Sequence, residues 1–189
     1  MTDSEHTYAY SRSPMSAPWE FALAPDALVW RVGQISGRVR YGDIQRVRMG
    51  FRPMTTQNYR FLTEIWSARG PRLAIASSSW RGLLGQERHD QAYIAFITEL
   101  HRRIAAAGGA VHFVMGSPPL LYWPGLVIFA GLSVGLTVLT VRMLVSGAWD
   151  SAALTAAVLA LCLWQMGAFF RRNRPGRYAP EALPRHVLP

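Results

Sequence analysis

The sequence predicts an α+β protein in two parts: a basic domain of antiparallel strands closed by one helix, followed by a hairpin of two transmembrane helices. Apolar residues alternate at every second position from Trp19 to about Trp80. They then recur every three or four positions within 90–107. Two apolar runs without Asp, Glu, Lys or Arg follow, at 120–141 and 152–170. A chain of 189 residues has room for one soluble domain and a small membrane segment.

The alternating part of the pattern is typical of β-strands. Its runs are separated by turn signals at 25–26, 42–43 and 70–71. They predict about six antiparallel strands that bury apolar residues and expose arginines. The outward-facing arginines, which are our candidates for contact with a lipid or a protein partner, are Arg38, Arg40, Arg46, Arg48 and Arg60.

Residues 90–107 predict one amphipathic helix. Its apolar face consists of Tyr93, Phe96, Ile97, Leu100 and Ile104. Asp90 is a suitable N-cap, and the two glycines at 108–109 end the helix. His101 lies beside two arginines in the last turns, where positive charge is favourable. We therefore expect the His101 side chain to be solvated.

The two apolar runs are long enough for transmembrane helices. About 20 apolar residues cross a bilayer, so we predict spans at 120–144 and 150–170. The alternative is a pair of buried core helices, but runs of this length exceed what a small domain usually conceals. Tyr122, Trp123 and Trp164 lie near the ends of the runs, where aromatic rings suit the headgroup level.

Arginines beside the runs predict the orientation. The residues that we take to determine topology follow the second run and are Arg171, Arg172, Arg174 and Arg177, whereas the connection between the runs has only Arg142. Because positive residues favour the cytoplasmic side, we expect a multi-pass protein of the inner membrane with both termini cytoplasmic. Residues 1–20 have no apolar core, so we expect no cleavable signal peptide.

Small residues predict how the spans pack. Gly131 and Gly135 form a G-x-x-x-G step, and a ladder of the same spacing consists of Ala152, Ala156 and Ala160. Such faces allow helix backbones to approach closely in lipid. Chance produces the same spacing, since Gly and Ala are common in spans. The pattern leaves open whether the packing occurs within one chain or between two chains.

These patterns divide the chain into five segments. They are a disordered N-terminal tail (1–18), a cytoplasmic domain (19–109), a juxtamembrane linker (110–119), the transmembrane hairpin (120–170) and an Arg- and Pro-rich cytoplasmic tail (171–189).

No residue set predicts a catalytic, cofactor-binding or metal-binding site. Cys162 is the single cysteine, and no metal-ligand spacing of histidines occurs. The serines at 77–79, beside Arg81, are the most enzyme-like stretch, but they lack a G-x-S-x-G motif and a nearby base. There is no phosphate-binding loop and no basic–aromatic cluster typical of nucleic-acid binding. We therefore expect neither nucleic acid nor a small-molecule substrate.

Several stretches resemble the pleckstrin-homology-like superfamily, and in particular bacterial membrane proteins with such a domain. The resemblance consists of the strand series, the stretch 37–47 (GRVRYGDIQRV) and the helix at 90–103. The proline-punctuated ending 173–189 is similar to that of a proteobacterial family. The resemblance implies an antiparallel β-sandwich or barrel capped by a C-terminal helix. Lipid-binding members have basic residues around the loop that joins the first two strands, whereas this loop contains Asp26.

The function that these observations favour is not enzymatic. The chain is expected to hold a pleckstrin-homology-like domain at the inner membrane, where it binds a protein partner, self-associates or organises neighbouring proteins. The first alternative is that the arginines recognise anionic phospholipid headgroups electrostatically. The simplest explanation of these arginines is an ordinary solvated surface without a ligand. A third possibility is an unrecognised enzyme.

Overall fold

The computed structural model describes residues 6–53, 59–81, 85–184 and 188–189. Within them the chain is an α+β protein with antiparallel sheets and three α-helices, two of which are long and apolar. The chain divides into two compact units. The first unit runs to Gly116 and resumes at Gly176, and the second is Ser117–Pro175.

The strands of the first unit form two larger sheets and one strand pair. The four-stranded sheet has the order β1 (Thr7–Tyr10), β2 (Trp19–Leu23), β3 (Ala27–Val32), β4 (Ile35–Arg40). The five-stranded sheet has the order β11 (Gly176–Arg177), β10 (His112–Met115), β5 (Ile44–Pro53), β6 (Tyr59–Ser67), β7 (Leu73–Ala76). The strand pair is β8 (Ser78–Arg81) with β9 (Gly85–Arg88). All pairings are antiparallel except that of β10 with β5.

The predicted alternation of buried and exposed residues is confirmed in β2 and β5, whereas in β4 it fails at Ile35, which is 65% exposed near the turn from β3. In β5, for example, Val47 and Met49 are fully buried, whereas Arg46 is exposed. Successive side chains of a strand point to opposite faces, so β5 and β6 carry their arginines on the face away from the core.

The core of the first unit is shared by both larger sheets and the helix α1 (Asp90–Ala106). The Tyr8 hydroxyl in β1 donates to the Ala76 carbonyl in β7 at 2.6 Å. Thr63 in β6 and Tyr93 in α1 share a hydrogen bond of 2.7 Å. Arg103 donates to the carbonyls of Leu23 and Ala24 at the end of β2, at 2.7 and 2.8 Å. These bonds satisfy polar groups that would otherwise be costly to bury.

Helix α1 buries the apolar face that its periodicity predicts, since all five residues of that face are at most 3% exposed. The helix begins at Asp90, with His89 at the N-cap position and no side-chain capping bond. The prediction of Asp90 as N-cap is therefore wrong. Its carboxylate lies in the first turn, where it still favours the helix dipole.

The second unit contains α2 (Pro119–Val145) and α3 (Trp149–Arg172). Their mean hydropathies are 2.0 and 1.8, and both helices are long and apolar enough to cross a membrane. Only 0% and 6% of their most apolar windows are buried, so both helices leave most of their apolar surface uncovered. The helices coincide with the predicted spans at 120–144 and 150–170 to within two residues at each end.

The two apolar helices contact each other at both ends. The Tyr122 hydroxyl donates to the Phe170 carbonyl at 3.2 Å, and the Thr155 hydroxyl lies 3.5 Å from the Met143 sulfur. The less exposed positions of α2 recur about every three or four residues and are Tyr122, Gly125, Leu126, Phe129, Ser133, Leu136, Thr140 and Met143. This spacing is that of a helix–helix seam.

Three strands lie in segments that the sequence led us to predict as a disordered tail, a linker and a second tail. The disordered-tail prediction for 1–18 is wrong for β1, because Tyr8 and Tyr10 alternate into the core. The linker 110–119 contains β10, and the tail 171–189 contains β11, which pairs with β10. Strands of two to four residues have too little periodicity of their own to be recognised in a sequence.

Candidate functional site

The five candidate arginines divide between the two larger sheets. Arg38 and Arg40 lie on β4 of the four-stranded sheet, whereas Arg46 and Arg48 lie on β5 and Arg60 on β6 of the five-stranded sheet. All five point away from the core, as the alternation predicts. The register then determines which of them have other arginines as neighbours.

The outer surface of the five-stranded sheet is strongly basic, and we name it the arginine face. It consists of Arg46, Arg48, Arg52, Arg72 and Arg177, together with Glu64 and Trp66. One row across the sheet runs from Arg177 through Val114 and Arg48 to Glu64. The next row contains His112, Arg46 and Trp66. Residues that are directly opposite across strands point to the same side of a sheet, so these side chains share one surface.

Glu64 is the acidic centre of the arginine face. Its side chain is only 6% exposed, and it pairs with Arg72, with Arg48 at 3.6 Å and with Arg52 at 3.7 Å. A buried carboxylate is stable only where cations and hydrogen bonds compensate for its lost hydration. One carboxylate cannot neutralise three arginines, so a positive excess remains at this centre.

Trp66 holds the arginines against a flat apolar surface. The guanidinium carbons of Arg72, Arg48 and Arg46 lie 4.9, 5.0 and 5.9 Å from the centre of a Trp66 ring. Cations at these distances are attracted to the face of an aromatic ring. Burial lowers the pKa of Arg48, although the neighbouring Glu64 opposes this effect. The stacking orders side chains that would otherwise be mobile on a surface.

A concavity of about 430 Å³ opens at one end of the arginine face. Its lining consists of Gln45, Arg46, Trp66, Ala110 and His112. The lining combines a guanidinium, an amide, an imidazole and an indole, all of which can donate hydrogen bonds. A phosphate or carboxylate is the chemistry that such donors recognise.

Arg60 lies opposite Arg52 on the same side of the sheet, but it is left out of the arginine face because its side chain is used within the fold. Its Nε donates to the Ser78 hydroxyl at 3.2 Å, and its terminal nitrogen donates to the Ser78 carbonyl at 3.1 Å. Ser77 accepts from the Phe61 amide at 3.1 Å, and Ser79 accepts from the Ser11 amide at 2.9 Å. The serine run that most resembles an enzyme motif therefore connects strands.

The outer surface of the four-stranded sheet has a different character. Asp26 pairs with Arg38, and Glu20 lies 4.0 Å from Arg31, so its charges largely cancel. A concavity of about 380 Å³ lies there, and its outward-facing residues are Thr7, Ala9, Glu20, Ala22, Val29 and Arg31. Because β1 precedes β2, the loop that joins the first two strands is 11–18 and contains Arg12. The loop with Asp26 joins β2 to β3.

His101 is buried, and the prediction of a solvated side chain is wrong. The Ile97 carbonyl lies 2.7 Å from Nδ1 and can only accept, so Nδ1 carries the proton. Nε2 then accepts a hydrogen bond of 2.8 Å from the Tyr178 hydroxyl. Burial lowers the pKa of His101 to about 4, which keeps the ring neutral. His101 follows Ile97 by four residues, so the spacing places both on the buried face.

Rings complete this buried cluster. Phe113 in β10 lies 5.5 Å from His101 and 5.8 Å from Tyr178, between ring centres. The Tyr178 amide donates to the Phe113 carbonyl at 3.3 Å. The chain that follows α3 is therefore part of the folded domain, rather than a separate tail.

The small residues proposed for helix packing lie mostly off the seam between α2 and α3. A Cβ added at Gly131 or Gly135 would meet no atom within 4 Å. Ala152 is buried, but Ala156 and Ala160 are exposed. Within the pair, α2 instead contacts α3 mainly through larger side chains. For Gly131 and Gly135, packing against a second chain is the alternative that stays open.

The topology arginines fall in both units. Arg171, Arg172 and Arg174 lie at the exposed end of α3 and just after it, whereas Arg177 lies on β11 and belongs to the arginine face.

Among the described residues, no group of three or more His, Cys, Asp or Glu side chains is placed to hold a metal ion. Comparison of the chain with protein-family models, with curated proteins and with solved structures found no match.

Sequence reasoning missed three members of the arginine face. Arg52 continues the alternation of Arg46 and Arg48 and could have been included on that basis. Arg72 stands directly before β7, and Arg177 belongs to a strand of two residues. For these two no local signal was available, because their position depends on strand pairing.

Proposed function

We propose that this chain is a non-enzymatic module of the bacterial inner membrane. In this proposal α2 and α3 form a transmembrane hairpin, and a cytoplasmic pleckstrin-homology-like domain binds a protein partner or organises neighbouring proteins. Support for the domain assignment comes from two sheets, antiparallel except for the pairing of β10 with β5, that share one core with a helix late in the domain.

The observation that carries the proposal is the exposure of the two apolar helices. Their large apolar side chains are largely uncovered, for example Leu120 at 88%, Val127 at 69% and Leu154 at 69% exposed. Water would oppose such a surface, whereas the hydrocarbon core of a bilayer favours it. The backbone of both segments is helical, which satisfies the peptide groups in lipid.

Strand pairing supports an even number of crossings. β10 precedes α2, β11 follows α3, and Met115 pairs with Gly176 within the first unit. If the helices span, the two strands can pair only on the same side of the membrane. The excess of arginines after α3 supports the cytoplasm as that side.

A protein partner fits the outer surface of the four-stranded sheet better than an anion does. That surface is nearly neutral and concave, with small residues such as Ala9 and Ala22 on its floor. Recognition of anionic lipid is the second candidate function, and the arginine face favours it independently.

Topology is tested with single cysteines at Ser36, Ser146 and Glu181, each in a Cys162→Ser chain. All three positions are exposed. An impermeant thiol reagent should label intact spheroplasts only at position 146. Labelling at 36 or 181 would refute the cytoplasmic assignment.

Partner binding is tested by photo-crosslinking in native membranes. A photoreactive residue at Val29 should give one discrete adduct, identified by mass spectrometry as one protein or as a second copy. The same residue at Ala107, which is exposed at the end of α1, is the matched control. No adduct at Val29, or the same adducts at both positions, contradicts the proposal.

A further inference from the structure

We propose that the arginine face binds phosphate groups of anionic phospholipids in the leaflet next to the domain. This inference develops the second candidate function and rests on the proposed membrane anchoring. It assigns lipid contact to the outer surface of the five-stranded sheet, and not to the loops between the first strands.

The charge balance of the face favours an anionic surface. The five arginines of the face stand against one carboxylate, which leaves an excess of four positive charges without counting Arg60, whose guanidinium bonds to Ser78. Arg52 and Arg72 keep 64% and 52% of their side-chain surface exposed while they contact Glu64. Their remaining N–H groups can donate to an external anion, because a guanidinium has five donors.

Order among these side chains distinguishes the face from a solvated set of arginines. Glu64 and Trp66 together contact four guanidinium groups before any ligand arrives, those of Arg46, Arg48, Arg52 and Arg72. Less side-chain entropy is then lost on binding. The indole of Trp66 suits the headgroup region, where aromatic rings collect.

The concavity beside Arg46 supplies a place for one phosphate. Its donors include the Arg46 guanidinium, the Gln45 amide and the His112 ring. Among the residues that line it, none is acidic. A phosphate there would accept hydrogen bonds without facing a carboxylate.

Chain connectivity selects the leaflet as the source of phosphate. Three residues, 116–118, join β10 to α2, and three, 173–175, join α3 to β11. At no more than about 3.6 Å per residue, such linkers keep the ends of both strands within roughly 15 Å of the helix ends. β11 carries Arg177, so the face includes a strand that is tied to the point where the chain leaves the bilayer.

The test uses the full chain with a polarity-sensitive dye on a cysteine at Ala74, in a Cys162→Ser background. Ala74 is opposite Glu64 in β7, on the arginine face. In neutral detergent, added dihexanoylphosphatidylglycerol should shift the dye emission to the blue, whereas dihexanoylphosphatidylcholine should not. The shift should fade towards 0.5 M salt, because the Debye length falls to a few ångströms. A dye at Ala22, on the other sheet, is the control for non-specific adsorption.

Matched variants decide whether the arginine face is responsible. Replacing Arg46, Arg52 and Arg72 with Gln should raise the lipid concentration needed by roughly a hundredfold, at about fivefold per arginine. Replacing Arg31, Arg38 and Arg40 with Gln removes the same charge from the other sheet. This variant should change the lipid concentration needed by less than about threefold. Equal losses would show a response to net charge alone and would overturn the proposal.

Remaining outcomes are equally decisive. A shift with inorganic phosphate at the same concentration would mean that the ligand is a soluble anion, and equal shifts at positions 74 and 22 would mean non-specific adsorption. Nanodiscs provide a test that needs no variant. The emission at position 74 should differ between discs with and without phosphatidylglycerol, and identical spectra refute the inference. A chain that fails to enter either disc would refute the proposed anchoring instead.

Discussion

Replacing Tyr178 with Phe should destabilise the domain through His101, which lies far away in the sequence. The Tyr178 hydroxyl is 2.8 Å from Nε2 of His101, a residue with no exposed surface. Nδ1 is already committed to the Ile97 carbonyl, so Nε2 needs a donor. Tyr178→Phe removes that donor and keeps the ring that packs against Phe113.

The expected loss is about 1–3 kcal/mol in the free energy of unfolding, the cost of a buried acceptor without a partner. His101 has no exposed surface, whereas Tyr178 is half-buried, so a loss near the middle of this range is expected. The double variant His101→Phe/Tyr178→Phe should recover part of the loss, because it removes both polar groups and leaves two apolar rings.

The measurement is urea unfolding of the full chain in detergent, followed by near-ultraviolet circular dichroism. Tyr122→Phe is the matched control, since its hydroxyl bonds to the Phe170 carbonyl within the second unit and its loss should leave the domain midpoint unchanged. Equal stability of Tyr178→Phe and the parent chain would refute the reasoning. It would also favour a free tail after α3.

Three further predictions concern stability and association. The pKa of His101 is about 4 when folded and 6.5 when unfolded, so the unfolded chain takes up the proton first as pH falls. Stability should therefore decline by up to about 3 kcal/mol between pH 6.5 and 4, and acid titration of the His101→Phe chain should lack that decline. Gly37→Ala should lower the urea midpoint by the equivalent of about 1–3 kcal/mol, because a Cβ there would lie 2.6 Å from the Trp30 ring; an unchanged midpoint would mean that the ring moves freely. Gly131→Leu with Gly135→Leu should reduce crosslinked dimer in membranes but not the thermal resistance of the α2–α3 pair, and unchanged dimer yield would show that this face contacts lipid.

Local periodicity was sufficient for the elements that are long enough to show it. The face of α1 and the alternation in β5 follow directly from spacing, since each buries a regular series of apolar residues. The two apolar helices follow from length and composition. In these elements the positions of the apolar residues along the sequence determine directly which side of the helix or strand is buried away from water.

Pairing between distant segments could not be predicted in the same way. Arg177 and Arg48 share a row of the sheet because β10 lies between β11 and β5, and no local pattern encodes that order. The His101 prediction failed for a related reason. The charged neighbours of His101 in the helix suggested a solvated side chain. Its burial depends instead on Tyr178 and Phe113, which belong to later parts of the chain.

The domain is discontinuous, and this has a consequence for when it becomes complete. Strands β1 to β10 and α1 precede the two apolar helices, but β11 and Tyr178 follow them. Until the chain after α3 arrives, Phe113 lacks its contact with the Tyr178 ring and the buried Nε2 of His101 lacks its donor. If α2 and α3 span the membrane, the segment after α3 can reach β10 only once both helices have inserted. The start of α2 and the end of α3 must then lie on the same side as the domain. In that case insertion in any other arrangement would leave a buried acceptor unpaired and the edge of β10 open, so the stability of the domain would depend on the topology of the two helices.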